Sequence, residues 1–295
     1  GTVTNNLRAL GVTAIYAAGV TGDDGEGYEL RRRLAERDVD VTCLVASPEV
    51  VTGTYLKPTV LAPDGTEREL GRMDIKNRRP LPAALEDAVI MHLRRLADPS
   101  AELVDAVIVA DQVEERNHGA ITDRVRHAVC DLAAGRPDLV WLADSRRRIG
   151  EYRHLMLKPN RDECLRAIPA PGGAAERVFG EGGREAGRDH VAGGACALAS
   201  RTGRPVFVTL ATEGMLVVEP DGRTTHVPAV RVEGPVDPTG AGDSATAGIV
   251  PALALGASPV EAAALGTLVA SVTVRQLGAT GAATPQDVLA AHEGT

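Results

Sequence analysis

Short apolar runs rich in β-formers alternate with longer amphipathic runs along almost the whole chain. Such alternation predicts strands and helices in turn, and therefore a mostly parallel sheet covered by helices. Thr13 to Val20 reads as a strand, followed by the turn TGDDGEG (Thr21 to Gly27) and a charged helix to about Arg37. A helix over about Pro82 to Leu96 leads into the strand Ala106 to Ala110, which ends at Asp111. Another helix, about Ala120 to Ala134, leads into the strand Leu139 to Ala143, ending at Asp144. Leu155 to Leu157 is a short strand, Arg161 to Ile168 begins a helix, and Pro205 to Thr209 is a strand again. Met215 to Val218 pairs with His226 to Val230 across the turn Asp221-Gly222. Two Ala-rich helices follow, roughly Ala241 to Leu255 and Pro259 to Gln276, and a last one begins near Pro285.

One segment breaks the alternation. Between Val41 and Met73, the strand-like runs Thr54 to Leu61 and Glu67 to Met73 are joined by the turn PDGT with no helix between them. This predicts a small β-sheet lid over 41–75, projecting from an α/β body made of 1–40 and 76–295. Its exposed edges suit lid-to-lid pairing in a homodimer. The Gly/Pro/Ala stretch Pro169 to Gly187 reads as a loop. The chain opens on GTVTNNLRALG, a loop running into a helix with no strand before it, so a first strand is expected to be missing upstream.

Composition narrows the partners. With 44% hydrophobic and 24% charged residues, the 295-residue chain has the balance of a soluble globule with a sizeable core. Aromatics are only 2%, which argues against base stacking as a mode of recognition. A net charge of −8 has the wrong sign for general binding to nucleic acid or an anionic membrane. A few backbone amides can still build a phosphate site against that global field. Arg31 to Arg33 form a short basic cluster suited to a solvated helix face. Cys43, Cys130, Cys164 and Cys196 show no CxxC spacing, so a reduced cytoplasmic protein is the simplest reading. Ala262 to Val274 is apolar but too short to span a bilayer, and reads as a buried helix.

Three short segments carry candidate chemistry. In DPTGAGD, Asp237 to Asp243, Gly240 and Gly242 remove side chains so that successive amides can converge on an anion at a helix start. Asp243 then sits in the first helical turn, where a carboxylate can take the proton of an attacking hydroxyl. The plainer reading is a glycine turn with an Asp cap. GAGDSA also fits a loose dinucleotide fingerprint, but Glu261, near the required distance, lies in an Ala-rich helix, so that reading fails. In KPNRDE, Lys158 to Glu163, the Asn160 and Glu163 side chains share one side of a first helical turn. They suit either a hydrated Mg²⁺ or ordinary helix capping. In VTLATEG, Val208 to Gly214, Thr209 and Gly214 stand at a strand end, next to a nucleotide or simply in a β-turn.

Taken together, NxxE, TLxxxG and DxTGAGD in this order resemble the ribokinase-type (PfkB) carbohydrate kinases, over nearly the whole chain. The GDD turn with Gly27, the lid-like VTGTYLKPTVLAPDG and the C-terminal LGATGAATP extend the likeness. The resemblance implies a ribokinase-like three-layer α/β sandwich with a β-lid, and ATP-dependent phosphorylation of a sugar or sugar phosphate. It implies Asp243 as base, the amides of Gly240, Ala241 and Gly242 as anion hole, and Asn160 and Glu163 organising Mg²⁺ and the ATP phosphates. Thr209 and Gly214 would border the nucleotide, with Gly278 and Gly281 near the adenine. Asp237 and Thr239 match the ligands of a monovalent cation, K⁺. Gly22, Asp23, Asp111 and Lys57 would face the substrate, although an edge lysine such as Lys57 also suits plain solvation. Asp111 gains that assignment from its place at a strand's C-terminal end. Ala211 replaces the glycine usual in TLGxxG, and of the family's opening strand and GGxxxN segment only the tail, Gly1 to Asn6, remains. RMDIKNRRPLP and VRQLGATGAATP lean towards the heptose-phosphate kinase branch, whereas DQVEE lacks the Tyr and Lys often found there. The competing expectation is a sugar- or nucleotide-binding regulatory protein that keeps the fold with little catalysis. A related kinase acting on a vitamin-like ring is disfavoured by the lid.

Overall fold

The computed structural model describes residues 1–62, 67–168, 187–278 and 280–294. The PDGT turn and nearly all of the Pro169 to Gly187 stretch lie outside the described residues. The chain opens with helix α1 (Thr2–Ala9), strand β1 (Tyr16–Gly22), helix α2 (Gly25–Ala35) and strand β2 (Asp40–Ser47). β1 and β2 pair in parallel. The β2 segment therefore stands beside β1 and outside the antiparallel strands that follow, although the apolar pattern groups it with them. Those are four three-residue strands, β3 (Thr54–Leu56), β4 (Thr59–Leu61), β5 (Glu67–Glu69) and β6 (Met73–Ile75). β3 pairs with β6 and β4 with β5, both antiparallel.

The body continues with α3 (Ala83–Leu96), β7 (Ala106–Asp111), α4 (Asp123–Gly135), β8 (Val140–Ser145), β9 (Met156–Leu157), α5 (Arg161–Arg166) and α6 (Arg188–Thr202). It ends with β10 (Val206–Thr209), β11 (Met215–Val218), β12 (Thr224–Val227), α7 (Ala241–Ala254), α8 (Pro259–Thr273) and α9 (Pro285–Glu293). Strands β12-β11-β10-β9-β8-β7 form one six-stranded sheet. The pairs from β7 to β10 are parallel, and β11 and β12 add an antiparallel hairpin.

Strand periodicity explains the layers. Successive side chains point to opposite faces of a sheet, and each strand here splits its residues accordingly. Trp141, Ala143, Val206, Val208, Leu216 and Val218 face a core shared with Val125 and Val129 of α4 and with Val191, Ala195 and Leu198 of α6. Leu142, Phe207, Met215 and Val217 face the opposite core, shared with Ile249 and Val250 of α7 and Ala262 and Ala263 of α8. Both faces are covered, so the strands read as continuous apolar runs. The result is helix layer, sheet, helix layer. Helix α6, absent from the apolar pattern as read, completes the first layer. Its Ala- and Gly-rich sequence shows no clear stripe until the packing is seen. Among the described residues no helix is long and apolar enough to cross a membrane.

α7 and α8 approach closely because glycines face each other. A methyl built on Gly248 would lie 2.8 Å from the Cα of Gly266, and one on Gly266 would lie 2.9 Å from the Ala245 carbonyl oxygen. This contact sets the position of α7, whose first turn carries Asp243. Overpacking of such a seam costs about 1–3 kcal/mol, against a gain of at most ~1 kcal/mol for Gly to Ala in a helix. Gly248→Ala is therefore expected to lower stability, and chemical denaturation showing a stabilised variant would refute the close seam.

Candidate active site

The loop before α7 turns through Gly240, which has φ +81° and acts as N-cap. A side chain there would be strained, and its Cβ would also lie 3.0 Å from Thr2 and 3.4 Å from Thr280. Residues from α1, the α7 loop and the 278–281 segment thus meet at one point. The Ala241 amide donates to the Pro238 carbonyl at 3.1 Å. In this conformation the donors suited to an anion are the amides of Gly242 and Asp243, whose first-turn N–H groups lack intrahelical acceptors. That corrects the expectation for Ala241, because its amide closes the turn.

Asp243 is partly exposed, neither packed under the core nor turned fully to solvent. Burial pushes its carboxyl above the usual aspartate value, and the charge of Asp144 pushes the same way. Lys158 and Arg146 pull against them. A base of this kind holds a proton more firmly than a solvated aspartate.

Asn160 and Glu163 open α5 in a reciprocal capping box. The Glu163 amide donates to Asn160 Oδ1 at 2.9 Å, and the Asn160 amide donates to Glu163 Oε2 at 2.8 Å. Both readings of this motif meet in one geometry: the box fixes a carboxylate and an amide side by side. Burial raises the Glu163 carboxyl, and Asp144 adds to that rise. A parallel bridge joins Asn160 to Thr209, with the Thr209 amide donating to the Pro159 carbonyl at 3.0 Å. The NxxE and TLxxxG segments are therefore neighbours.

Two residues that sequence reasoning passed over stand between these groups. Lys158 is 3% exposed, and its Nζ lies 2.7 Å from Asp144 Oδ2. The pair forms because β8 and β9 are adjacent, with Ala143 opposite Leu157. The Lys158 charge lowers both Asp243 and Glu163, while Asp144 raises both. Gln112 donates to Asp144 Oδ1 at 3.2 Å, and Arg146 Nε donates to Gln112 at 2.8 Å. The sequence signals were modest: an aspartate ending a strand, and the lysine preceding Pro159-Asn160.

The nucleotide-side glycines have local reasons. At Gly214, with φ +96°, a Cβ would lie 2.2 Å from the Val227 carbonyl oxygen, so the residue is small because its own chain passes there. A Cβ on Gly281 would lie 2.7 Å from the Thr273 carbonyl oxygen. The Gly281 carbonyl accepts from Asn6 Nδ2 at 3.0 Å, and the Ala283 amide donates to Asn6 Oδ1 at 3.3 Å. The fully buried Asn6 ties α1 to that loop. Gly278 has φ +74° and open space around it. Asp237 accepts from the Thr239 amide at 2.9 Å. Hydrogen bonding from Thr239 lowers the Asp237 carboxyl, with the Gly278 amide and the charge of Lys57 helping. The exposed Lys57, between β3 and β4, thus reaches electrostatically to the α7 loop.

On the expected substrate side, Gly22 and Asp23 differ in kind. Gly22 is buried, and a Cβ there would collide with Asp24 and with the Thr52 backbone. Asp23 is exposed. Asp24, which the motif left unassigned, caps α2 by accepting from the Gly27 amide at 2.8 Å. It also accepts from the Thr52 amide at 2.8 Å and the Thr52 hydroxyl at 2.7 Å.

Asp111 is a correction. Its carboxylate is buried, with Arg148 Nη2 at 2.8 Å on one oxygen. The other oxygen accepts from Arg148 Nε at 3.2 Å and from Ser145 Oγ at 2.7 Å. Tyr152, whose hydroxyl is 3.4 Å away, has its pKa raised by burial and then by Asp111, which keeps it a donor. A carboxylate so enclosed holds the fold together and presents nothing to a ligand. Removing one partner of a buried pair costs about 3–5 kcal/mol. Asp111→Ala should lose stability on that scale, and restoration of much of it in Asp111→Leu with Arg148→Met would be read by denaturant unfolding.

Among the described residues no group of three or more His, Cys, Asp or Glu side chains forms a metal cage. The oxygen donors of Asn160 and Glu163 instead fit a divalent ion that keeps most of its waters and binds through phosphate. Comparison with known proteins bears on the family and the fold. The pfkB family carbohydrate kinase model matches residues 2–287. The bifunctional protein HldE of Trichlorobacter lovleyi is 30% identical over 99% of this chain and 54% of its own length. That of Geotalea uraniireducens is 29% identical over 98% of this chain and 54% of its own. The chain thus spans about half the length of the curated relatives it matches. Phosphofructokinase-2 from Escherichia coli in complex with fructose-6-phosphate superposes with a TM-score of 0.69 at 18% identity, covering 99% of this chain and 85% of that one. Ribokinase from Thermotoga maritima superposes with a TM-score of 0.63 at 18% identity, covering 99% and 86%. The fold is ribokinase-like, and the match of family model and sequence relatives along almost the whole length means that this chain belongs to the pfkB family of carbohydrate kinases.

Proposed function

We propose that this chain transfers the γ-phosphoryl group of ATP to a hydroxyl of a sugar or sugar phosphate, with Asp243 as general base. The observation that carries the proposal is the half-buried carboxylate of Asp243 in the first turn of α7, behind a glycine cap and beside bare backbone amides. Asp243 takes the proton of the attacking hydroxyl, and the Gly242 and Asp243 amides receive the charge of the phosphoryl oxygens, with Gly240 shaping the turn. Asn160 and Glu163 would hold a hydrated Mg²⁺, which would supply charge neutralisation to the ATP phosphates. Thr209, next to Asn160, and the loop through Gly278 and Gly281 border the nucleotide. Little covalent chemistry falls to the protein, so positioning supplies most of the effect.

Asp237 and Thr239 are proposed to hold K⁺, since a carboxylate kept charged at a turn of oxygen donors suits a monovalent cation. A phosphofructokinase-2 structure of this fold is described in complex with potassium, which supports the idea. The downstream sequence favours a heptose phosphate among acceptors, and Lys57, Gly22 and Asp23 remain candidates for contacting it. The strands of 54–75 serve as a lid on the body. Tyr55, Leu56, Val60, Leu61 and Met73 are exposed on them, a set of apolar side chains suited to pairing with the lid of a second copy in the cytoplasm. Sedimentation is expected to show twice the mass of the chain, and a monomer at micromolar concentration would exclude lid pairing.

Asp243→Asn is expected to cut turnover by about 10²–10⁴-fold while ATP binding is largely kept. ADP release measured over a panel of sugars, nucleosides and sugar phosphates provides the test; near-normal turnover in the variant would end the assignment. The pH dependence follows in sign. The base works deprotonated, and its pKa lies above 3.8, so kcat falls with acidification at a pH higher than for an ordinary aspartate. The limb should vanish from the residual activity of Asp243→Asn.

A further inference from the structure

We propose that Lys158 is a further catalytic residue, its ammonium contacting the phosphoryl group in transit, and that Asp144 is the positioning residue that aims it. The inference rests on the kinase reading above and adds to it a cation that no motif assigned. Lys158 is almost wholly buried, its Nζ 2.7 Å from Asp144 Oδ2. The ammonium also faces the first turn of α7: a methyl built on Gly242 would lie 3.5 Å from Nζ, the one contact within 4 Å from outside that turn. An anion received by the Gly242 and Asp243 amides would therefore meet this ammonium directly.

The mount is rigid. The Lys158 amide donates to the Ala143 carbonyl at 2.9 Å, and Gln112 holds the second oxygen of Asp144. A buried ion pair is weak evidence for stability, because apolar residues of similar size often serve as well. A lysine placed there, with bare glycine backbone on its open side, suits a charge that must be met in the transition state. The charged side chains acting on Asp243 are Asp144 at the end of β8, Lys158 after β9 and Arg146. Changes at Asp144 and Lys158 should consequently move the base in opposite directions.

Binding of MgADP with aluminium fluoride, a mimic of the phosphoryl group in transit, tests the contact without any acceptor. Calorimetry on wild type should show tighter binding than MgADP alone, and Lys158→Met should lose at least tenfold of that gain. Asp243→Asn should keep it. Lys158→Met should also lower kcat by about 10²–10³-fold, the scale of one lost charge-stabilising donor, with the KM of the acceptor little changed. The acid limb of kcat should shift up in Lys158→Met and down in Asp144→Asn. The double variant Asp144→Asn with Lys158→Met should recover thermal stability but not turnover. An unchanged fluoride-complex gain in Lys158→Met, the lack of any gain in wild type, or turnover that recovers with stability in the double variant would overturn the proposal. Full turnover in Asp243→Asn would instead strike only the base assignment.

Discussion

Three carboxylates, Asp144, Glu163 and Asp243, are crowded into a poorly solvated corner around one buried ammonium, that of Lys158. Like charges brought together away from water raise one another's proton affinity, and an opposite charge among them lowers it. The corner is therefore an electrostatic balance in which Lys158 restrains what burial and Asp144 would do alone. The ends of β8 and β9 bring the pair together. The capping box of α5 fixes Glu163, and the glycine cap of α7 fixes Asp243. Each depends on backbone geometry before any side chain is considered. That suits phosphoryl transfer, where most of the protein's contribution is charge held in the right place.

Backbone geometry in turn depends on small residues. α7 reaches its position because Gly248 and Gly266 let two helices touch through their backbones. Asn6 links the loop beside α7 to α1, satisfying a carbonyl and an amide of a segment that has no strand or helix to do so. The chain has few aromatics, and the core is filled by Val, Leu and Ala on both faces of the sheet. Rigidity at the site therefore comes from close backbone approach and not from bulky anchors.

Much of this was legible in the sequence, for reasons that also mark the limit. DPTGAGD declared its helix start through two glycines, and KPNRDE its cap through Asn and Glu three apart. Both are local patterns, and local patterns survive folding. The Lys158–Asp144 pair is not local: it exists only because Ala143 and Leu157 share a register on adjacent strands. Nothing in the linear order announces that. Asp111 failed in the opposite direction. A strand's carboxyl end is where ligands gather in open α/β sheets, but Arg148, arriving from the turn after β8, encloses it. The β2 strand was read with the lid because apolar runs without an intervening helix look alike whether they pair in parallel or antiparallel. Ala211, in place of the glycine usual in TLGxxG, sits at φ +52°. There a glycine is free of the penalty of roughly 1–2 kcal/mol that a Cβ incurs, so the exchange leaves the turn in place with some strain.

The two aspartates of the GDD turn are held in opposite ways. The exposed Asp23 has the freedom a substrate contact needs, while its neighbour Asp24 spends both oxygens on α2 and Thr52. Thr52 lies two residues before β3, and its hydroxyl also accepts the Gly22 amide at 2.9 Å. The chain therefore enters the antiparallel strands from a point clamped to the end of β1. At the other side, the charge of Lys57 bears on Asp237 in the α7 loop. The segment is therefore held at its root by hydrogen bonds and biased near Lys57 by a charge that solvent screens. At its other end the segment is tied again, where Lys76, just after β6, donates to Glu115 at 3.1 Å, so the antiparallel strands are held to the body at both ends.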